Sequence, residues 1–265
     1  MTLHFLCYND TNYGVENMSD AKLTRVAELL AYQCDRYGNM RPGILMNELQ
    51  GMGDTHAEML GCGRTFIHEN NVAWVVTHYL VDIVEMPRNG EILEYSSWPA
   101  VQDNLRATRD FEIRGHDGRL LVRATSQWVL IDLERRRPVR LDEWIKCKWP
   151  DDVIRAYDRK FERFPDFDAD KTHMLKCRFD DIDENQHINN AVYAVWATES
   201  VGYEYRDSHV LRGIELNYKR EISPTTPQIY TDVKIDGLTT RHRIRTDDDP
   251  EKAQVICYWT PRTEK

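Results

Sequence analysis

An acid, an amide and an imidazole stand at alternate positions, Asp183, Asn185 and His187, in the run Asp181-Ile182-Asp183-Glu184-Asn185-Gln186-His187-Ile188-Asn189-Asn190. Alternate side chains share one side of an extended segment, so the spacing predicts that the three converge. Apolar residues then recur at Ala191, Val192, Val195 and Trp196, which is helical spacing, with Asn189 or Asn190 as the N-cap. The trio would stand where backbone N–H groups are unsatisfied and the helix dipole favours negative charge. Glu221, in Tyr218-Lys219-Arg220-Glu221-Ile222-Ser223, lies near the end of a predicted strand and adds a carboxylate if the fold brings it to His187. Together the four have the parts for hydrolysis at a carbonyl: a carboxylate to activate water or attack, an imidazole to move protons, an amide to position. The plainer reading is a loop and cap, since Asp and Asn are turn residues, with Glu221 a surface carboxylate paired to Lys219 or Arg220.

Other candidates are weaker. The chain has no GxSxG, P-loop or GxGxxG string, so the common serine-hydrolase, nucleotide and dinucleotide signatures are missing. Cys177 and Cys257 could be nucleophiles beside His187, but isolated cysteines in strands usually pack. Glu48, Asp54, His56 and Glu58 fall on a predicted first helix, where His56 reads as capped or exposed.

The elements that must position these groups follow one plan used twice. Residues 1–22 read as an irregular lead-in, and 25–34 as a strand. Pro42 opens a helix over about 42–61, with Ile44, Leu45, Leu49, Met52 and Met59 on one face and Gly61 and Gly63 to end it. Strands are predicted at Trp74–Met86, Glu91–Trp98, Arg106–Arg114 and Arg119–Asp132, the last two joined by an Asp117-Gly118 hairpin. The second half repeats the order: a strand at Met174–Phe179, the motif, a helix to about Tyr205, then strands at Leu211–Ile222, Gln228–Ile235, Arg241–Thr246 and Gln254–Thr260. Laid on each other, the halves match Asp35 to Asp183, Asn39 to His187, Pro42 to Asn190, and Val84 to Glu221, which reads as a duplication. The domain reading is an N-terminal unit at 1–137, a linker at 138–170 with a short helix near 151–160, and a C-terminal unit at 171–265.

Composition sets the class. The chain has 265 residues, 41% hydrophobic and 30% charged, with a formal net charge of -9. This fits a globular protein that does not seek nucleic acid or anionic membranes as a whole. Two basic clusters, Arg135–Lys148 and Arg241–Arg245, are candidate landing sites for an acidic partner or solvated strand ends. Six scattered cysteines (Cys7, Cys34, Cys62, Cys147, Cys177, Cys257) show no metal spacing and read as reduced thiols. With no leader-like N-terminus and no stretch of spanning length, a cytoplasmic location is expected.

The motif through Tyr193, Trp196, Glu199 and Ser200, and the strand Ile214-Glu215-Leu216-Asn217-Tyr218-Lys219-Arg220-Glu221, resemble the central motifs of acyl-ACP thioesterases. Ile44–Gln50, Trp74–Thr77 and Ser126–Val129 are similar to the first half of that family. The resemblance implies an α+β double hotdog, release of free fatty acids from acyl carrier protein (ACP), and working residues Asp183, Asn185, His187 and Glu221 in the second hotdog, with the acyl chain in the first. It implies a phosphopantetheine-linked substrate, no resident cofactor or metal, and is compatible with a homodimer. In that reading Asp183 holds His187 and raises its proton affinity. Some members carry a cysteine directly after the glutamate; here that place is Ile222. Alternatives are an acyl-CoA thioesterase, a hotdog acyl hydratase or dehydratase, whose pattern resembles D-x-N-x-x-H, and a non-catalytic acyl-binding protein.

Overall fold

The computed structural model describes residues 14–19, 22–145 and 153–263. The first half runs β1 (Gly14–Ser19), β2 (Lys22–Glu28), α1 (Pro42–Met59), α2 (Arg64–Asn70), β3 (Val72–Ile83), β4 (Ile92–Gln102), β5 (Arg106–Gly115) and β6 (Leu120–Asp132). A short β7 (Arg137–Pro138) and α3 (Leu141–Trp144) lead out of it. The second half runs β8 (Lys171–Leu175), α4 (Asn190–Ser200), α5 (Tyr203–Ser208), β9 (His209–Tyr218), β10 (Ile229–Asp236), β11 (Thr239–Thr246) and β12 (Ala253–Pro261).

All the strands form one sheet ordered β1-β2-β4-β5-β6-β3-β9-β12-β11-β10-β8, with β7 paired to β6. Apart from β1 and β7, the order within each half is the same, and each half is a hotdog: a helix laid along the face of an antiparallel sheet. The halves join through antiparallel β3 and β9, where Tyr79 pairs with Leu216. These two are equivalents when Val84 is laid on Glu221, so the duplication relates the halves by a local two-fold through this pair. Alternation along each strand sends Tyr79, Val81, Phe111, Ile113, Ile214 and Leu216 to the helix side, where they are buried with Leu45, Leu49, Ala194 and Ala197 in one shared core. The helices run in opposite directions across it: Gly43 lies against Val195, while Gln50 reaches Asn190.

Several expectations are corrected. The lead-in contains β1, paired with β2; residues 1–13 lie outside the described part. The strand expected to run to Cys34 stops at Glu28, and Ala31–Gln33 form a 3-10 turn in which the Gln33 side chain takes the Leu30 N–H at 2.9 Å. Past α1, Gly63 precedes a second helix, α2, with no buried residue and hence no apolar periodicity to read. The helix expected to reach Tyr205 breaks at Gly202, which has φ 95°, into α4 and α5. The linker's short helix is at Leu141–Trp144, while the described residues 153–163 are irregular.

That linker is a strap on the sheet face opposite the helices. Arg109 faces α1, so Asp110 faces away. Asp110 is fully buried there and accepts Arg155 Nε at 2.7 Å, Arg155 Nη2 at 3.2 Å and the Ala156 N–H at 2.8 Å. Further along, Arg159 is paired with Glu215, itself 5% exposed, and Trp98 Nε1 donates to the Ile154 carbonyl at 3.1 Å.

Candidate active site

The motif residues do not lie in an extended segment. Ile182 and Ile188 pair across a tight turn, closed by Asp183 N–H to His187 O at 2.8 Å and Gln186 N–H to Asp183 O at 3.0 Å. Asp183 is its organiser: one carboxylate oxygen accepts the Asn185 N–H at 2.9 Å and the His187 N–H at 3.1 Å. The first half builds the same turn, with Asp35 accepting the Tyr37 and Asn39 N–H groups at 2.8 and 3.0 Å. The Asp183 carboxylate therefore holds the backbone of His187, where the sequence reading had it hold the ring. Gly38 has φ 74° and its equivalent Gln186 φ 62°, a left-handed conformation that costs a side-chain-bearing residue energy.

The turn delivers His187 to the start of α4. Asn189 is the N-cap, its side chain accepting the Ala191 N–H at 2.8 Å. Across from the imidazole, the chain leaving β9 presents Glu221, with its Oε2 3.8 Å from His187 Nε2. The two side chains are 51% and 60% exposed, so they meet at an open surface and not in a sealed cavity. Tyr193, on the first turn of α4, is buried behind this segment, and lost hydration raises its phenol pKa. Asn185 is exposed on the turn, its side chain uncommitted among the described residues. The imidazole–carboxylate pair the sequence required is thus brought together, with the Asn185 amide on the same turn.

The equivalent position in the first half is plugged. Asn39 is buried there, Val84 stands where the other half has Glu221, and the turn is tied to α5 by Arg36–Asp207 at 3.2 Å and by Tyr37 to Asp207. Arg262 stacks over Tyr37 at 3.6 Å. A cavity of about 20 Å³ remains, lined in part by Asp35, Asn39, His209 and Arg262, roughly the room of one water.

Helix α1 is longer than α4, and its last turns run beside the Asp183–His187 turn. Arg64 at the start of α2 pairs with Glu184. Asp54 faces this region, on the exposed side of α1 but with protein packed closely around it. The lost hydration pushes its carboxyl up to about 6, with Glu184 and Asp183 adding to the rise and Arg109 and Arg64 opposing it. A carboxyl whose folded pKa is raised withdraws stability as pH climbs through the interval between its unfolded value near 4 and about 6. Asp54→Asn should therefore raise the melting temperature relative to wild type at pH 8 and leave it nearly unchanged at about pH 3, below both values. An equal shift at both pH values would refute this.

Behind Asp54, sequence reading missed a buried polar group. His56 is 1% exposed, contrary to the expectation of a surface histidine, and its Nδ1 is 3.1 Å from Arg109 Nη1, which also donates to Ser97 Oγ at 3.1 Å. The available signal was Gly53, a costly residue inside a helix: a Cβ there would come within 3.2 Å of Arg109 Cδ.

The cysteine alternatives fall away. Cys257 is fully buried, which pushes its thiol up to about 12. Cys177 is also raised by burial, so neither is a ready thiolate. The basic clusters are neutralised in part, Lys146 and Lys148 of the first lying outside the described residues. Arg140 pairs with Asp142 and Glu143, Arg243 with Asp166 and Asp232, and Arg245 with Asp232. Among the described residues, no three His, Cys, Asp or Glu side chains are grouped as metal ligands, and no helix is long and apolar enough to cross a membrane.

Residues 20–147 match the model of the acyl-ACP thioesterase N-terminal domain, and residues 165–261 that of the C-terminal domain. The chain belongs to the acyl-ACP thioesterase family. The oleoyl-acyl carrier protein thioesterase 1 of Arabidopsis thaliana is 27% identical over 74% of the chain and 57% of its own length. The palmitoyl-acyl carrier protein thioesterase of Gossypium hirsutum is 27% identical over 83% of the chain and 59% of its own length. The chain thus spans under three fifths of these relatives. The solved 12:0-ACP thioesterase of Umbellularia californica superposes with a TM-score of 0.82 over 93% of this chain and all (100%) of that one, at 24% identity, which establishes the double hotdog.

Proposed function

We propose that this family member hydrolyses the thioester of fatty acyl-ACP to a free fatty acid and ACP. The observation that carries the reading is the His187–Glu221 pair, 3.8 Å apart at the capped start of α4. The thioester carbonyl lies at that helix end, where backbone N–H groups and the Asn185 amide receive the oxyanion. Glu221 takes a proton from water as the water oxygen bonds to the carbonyl carbon, or attacks directly to form a short-lived anhydride that water then cleaves to the free acid and Glu221. His187 orients the Glu221 carboxylate and returns a proton to sulfur as the carbon–sulfur bond breaks. Asp183 keeps the turn in register through the two backbone N–H groups it accepts.

In this reading the second half, from residue 171, is catalytic. The first, to residue 137, receives the acyl chain between α1 and its sheet. ACP is the partner, and the phosphopantetheine arm belongs to it. Arg140, Arg243 and Arg245 are already ion-paired within the chain, which weakens their claim on that partner.

The test is thiol release measured side by side on acyl-ACP, the matching acyl-CoA and an enoyl thioester. Faster release from acyl-ACP supports the reading. Faster release from acyl-CoA would make the protein an acyl-CoA thioesterase, and hydration of the enoyl chain without thiol release would make it a hydratase. Stoichiometric binding with neither reaction would leave an acyl-binding protein.

A further inference from the structure

The start of α4 is held from the other half of the molecule. Asn189 Nδ2 donates to Asn47 Oδ1 at 3.2 Å, and Asn190 Nδ2 to Gln50 Oε1 at 3.3 Å. Asn47 and Gln50 lie three apart on α1, hence on one face. The close approach that brings this face to α4 needs a glycine: a Cβ on Gly43 would sit 2.7 Å from Val195 Cγ2. From the sheet side, half-buried Tyr218 donates its hydroxyl to the Asn190 carbonyl at 2.9 Å. Asn190 is therefore gripped by its side chain and its carbonyl, from two directions and two elements.

The first-turn donors of α4 are mostly spoken for. The Asn189 N–H goes to Asp181 O at 2.9 Å, the Ala191 N–H to the Asn189 side chain at 2.8 Å, and the Val192 N–H to Asn189 O at 2.9 Å. The N–H of Asn190 has no acceptor among the described residues. It is a donor at this helix end left for an oxyanion.

We propose that Asn47 and Gln50, on the helix of the half without the histidine–glutamate pair, are positioning residues for the reaction, fixing the first turn of α4 so that the Asn190 N–H points at the thioester carbonyl. The inference rests on the thioesterase reading. It gives the first half a second task besides receiving the acyl chain. Donors to a developing oxyanion act through their fixed placement, and a shift on the order of 1 Å costs about 10²-fold in rate. Loosening one of two amide ties releases part of that.

Gln50→Leu should lower kcat by about 10-fold and leave KM within about 3-fold, since the bond orients a group used most in the transition state. Asn190→Leu, which keeps the backbone N–H, should do the same, and the double variant should lose little more than either single, because both remove one interaction. Asn47→Leu should repeat the pattern through Asn189. Hydrogen exchange provides a readout independent of turnover: peptides covering 185–195 should take up deuterium faster in Gln50→Leu than in wild type. Unchanged kcat, losses that multiply in the double variant, a loss carried by KM, or unchanged exchange over 185–195 would each overturn the proposal. A wild-type chain that releases no thiol from any acyl thioester would sink the thioesterase reading instead, while the exchange comparison would still report whether α1 holds α4.

Discussion

Glu221→Gln and His187→Ala are each expected to lower thioester hydrolysis by roughly 10²–10⁴-fold, the range typical for a positioned acid or base, and to leave the folded structure intact. The reason is their placement. Glu221 leaves β9 just past its last paired residue, and His187 closes the turn before α4, so the two side chains meet while 60% and 51% exposed. Exposed substitutions away from packing typically change stability by no more than about 0.5 kcal/mol. The backbone contacts of the turn come from Asp183, which both variants retain. Initial rates on acyl-ACP with melting temperatures measured alongside decide the matter. Near wild-type turnover in either variant would remove that residue from the mechanism. A fall in rate accompanied by a large fall in melting temperature would move its role to the scaffold.

Arg155→Ala is expected to destabilise the fold by about 3–5 kcal/mol, the usual cost of stranding one partner of a buried ion pair. Asp110 is fully buried on the sheet face away from the helices. Its oxygens are satisfied by Arg155, at 2.7 and 3.2 Å, and by the Ala156 N–H at 2.8 Å. Removing the guanidinium leaves the buried carboxylate with the Ala156 N–H alone of these partners and loosens the strap's hold on the first half. Urea denaturation monitored by tryptophan fluorescence measures the change. Arg155→Leu combined with Asp110→Leu should recover much of the loss, because replacing both members of such a pair by apolar groups is often neutral. A single variant within about 1 kcal/mol of wild type would show that the strap contributes little, since loops tolerate change where few buried groups depend on them.

Much of this was legible in the sequence because the relevant signals are local. The hairpin at Asp117-Gly118, the turn at Pro87–Gly90 and the β-branched runs between them placed the strands to within a few residues. The match of Asp35 to Asp183 follows from a turn whose geometry demands an Asx side chain at its first position, and both halves keep it. Two kinds of feature stayed hidden. Alternation of Asp183, Asn185 and His187 has the period of a strand, and only the left-handed Gln186 reveals a turn; its equivalent, Gly38, was the legible copy. Long-range partners were invisible too. Nothing local to Arg109 or Arg155 says that His56 or Asp110 lies across from them. The α2 and α5 helices bury no residue, so they left no periodic trace.

The activity proposed for this chain is cleavage of the bond between an acyl group and its carrier. The most direct measurement incubates the purified protein with acyl-ACP and quantifies the free carrier thiol and the free fatty acid over time. Both are expected to appear in equal amounts and over many turnovers. Acyl-ACP recovered intact after prolonged incubation with the folded protein would contradict it.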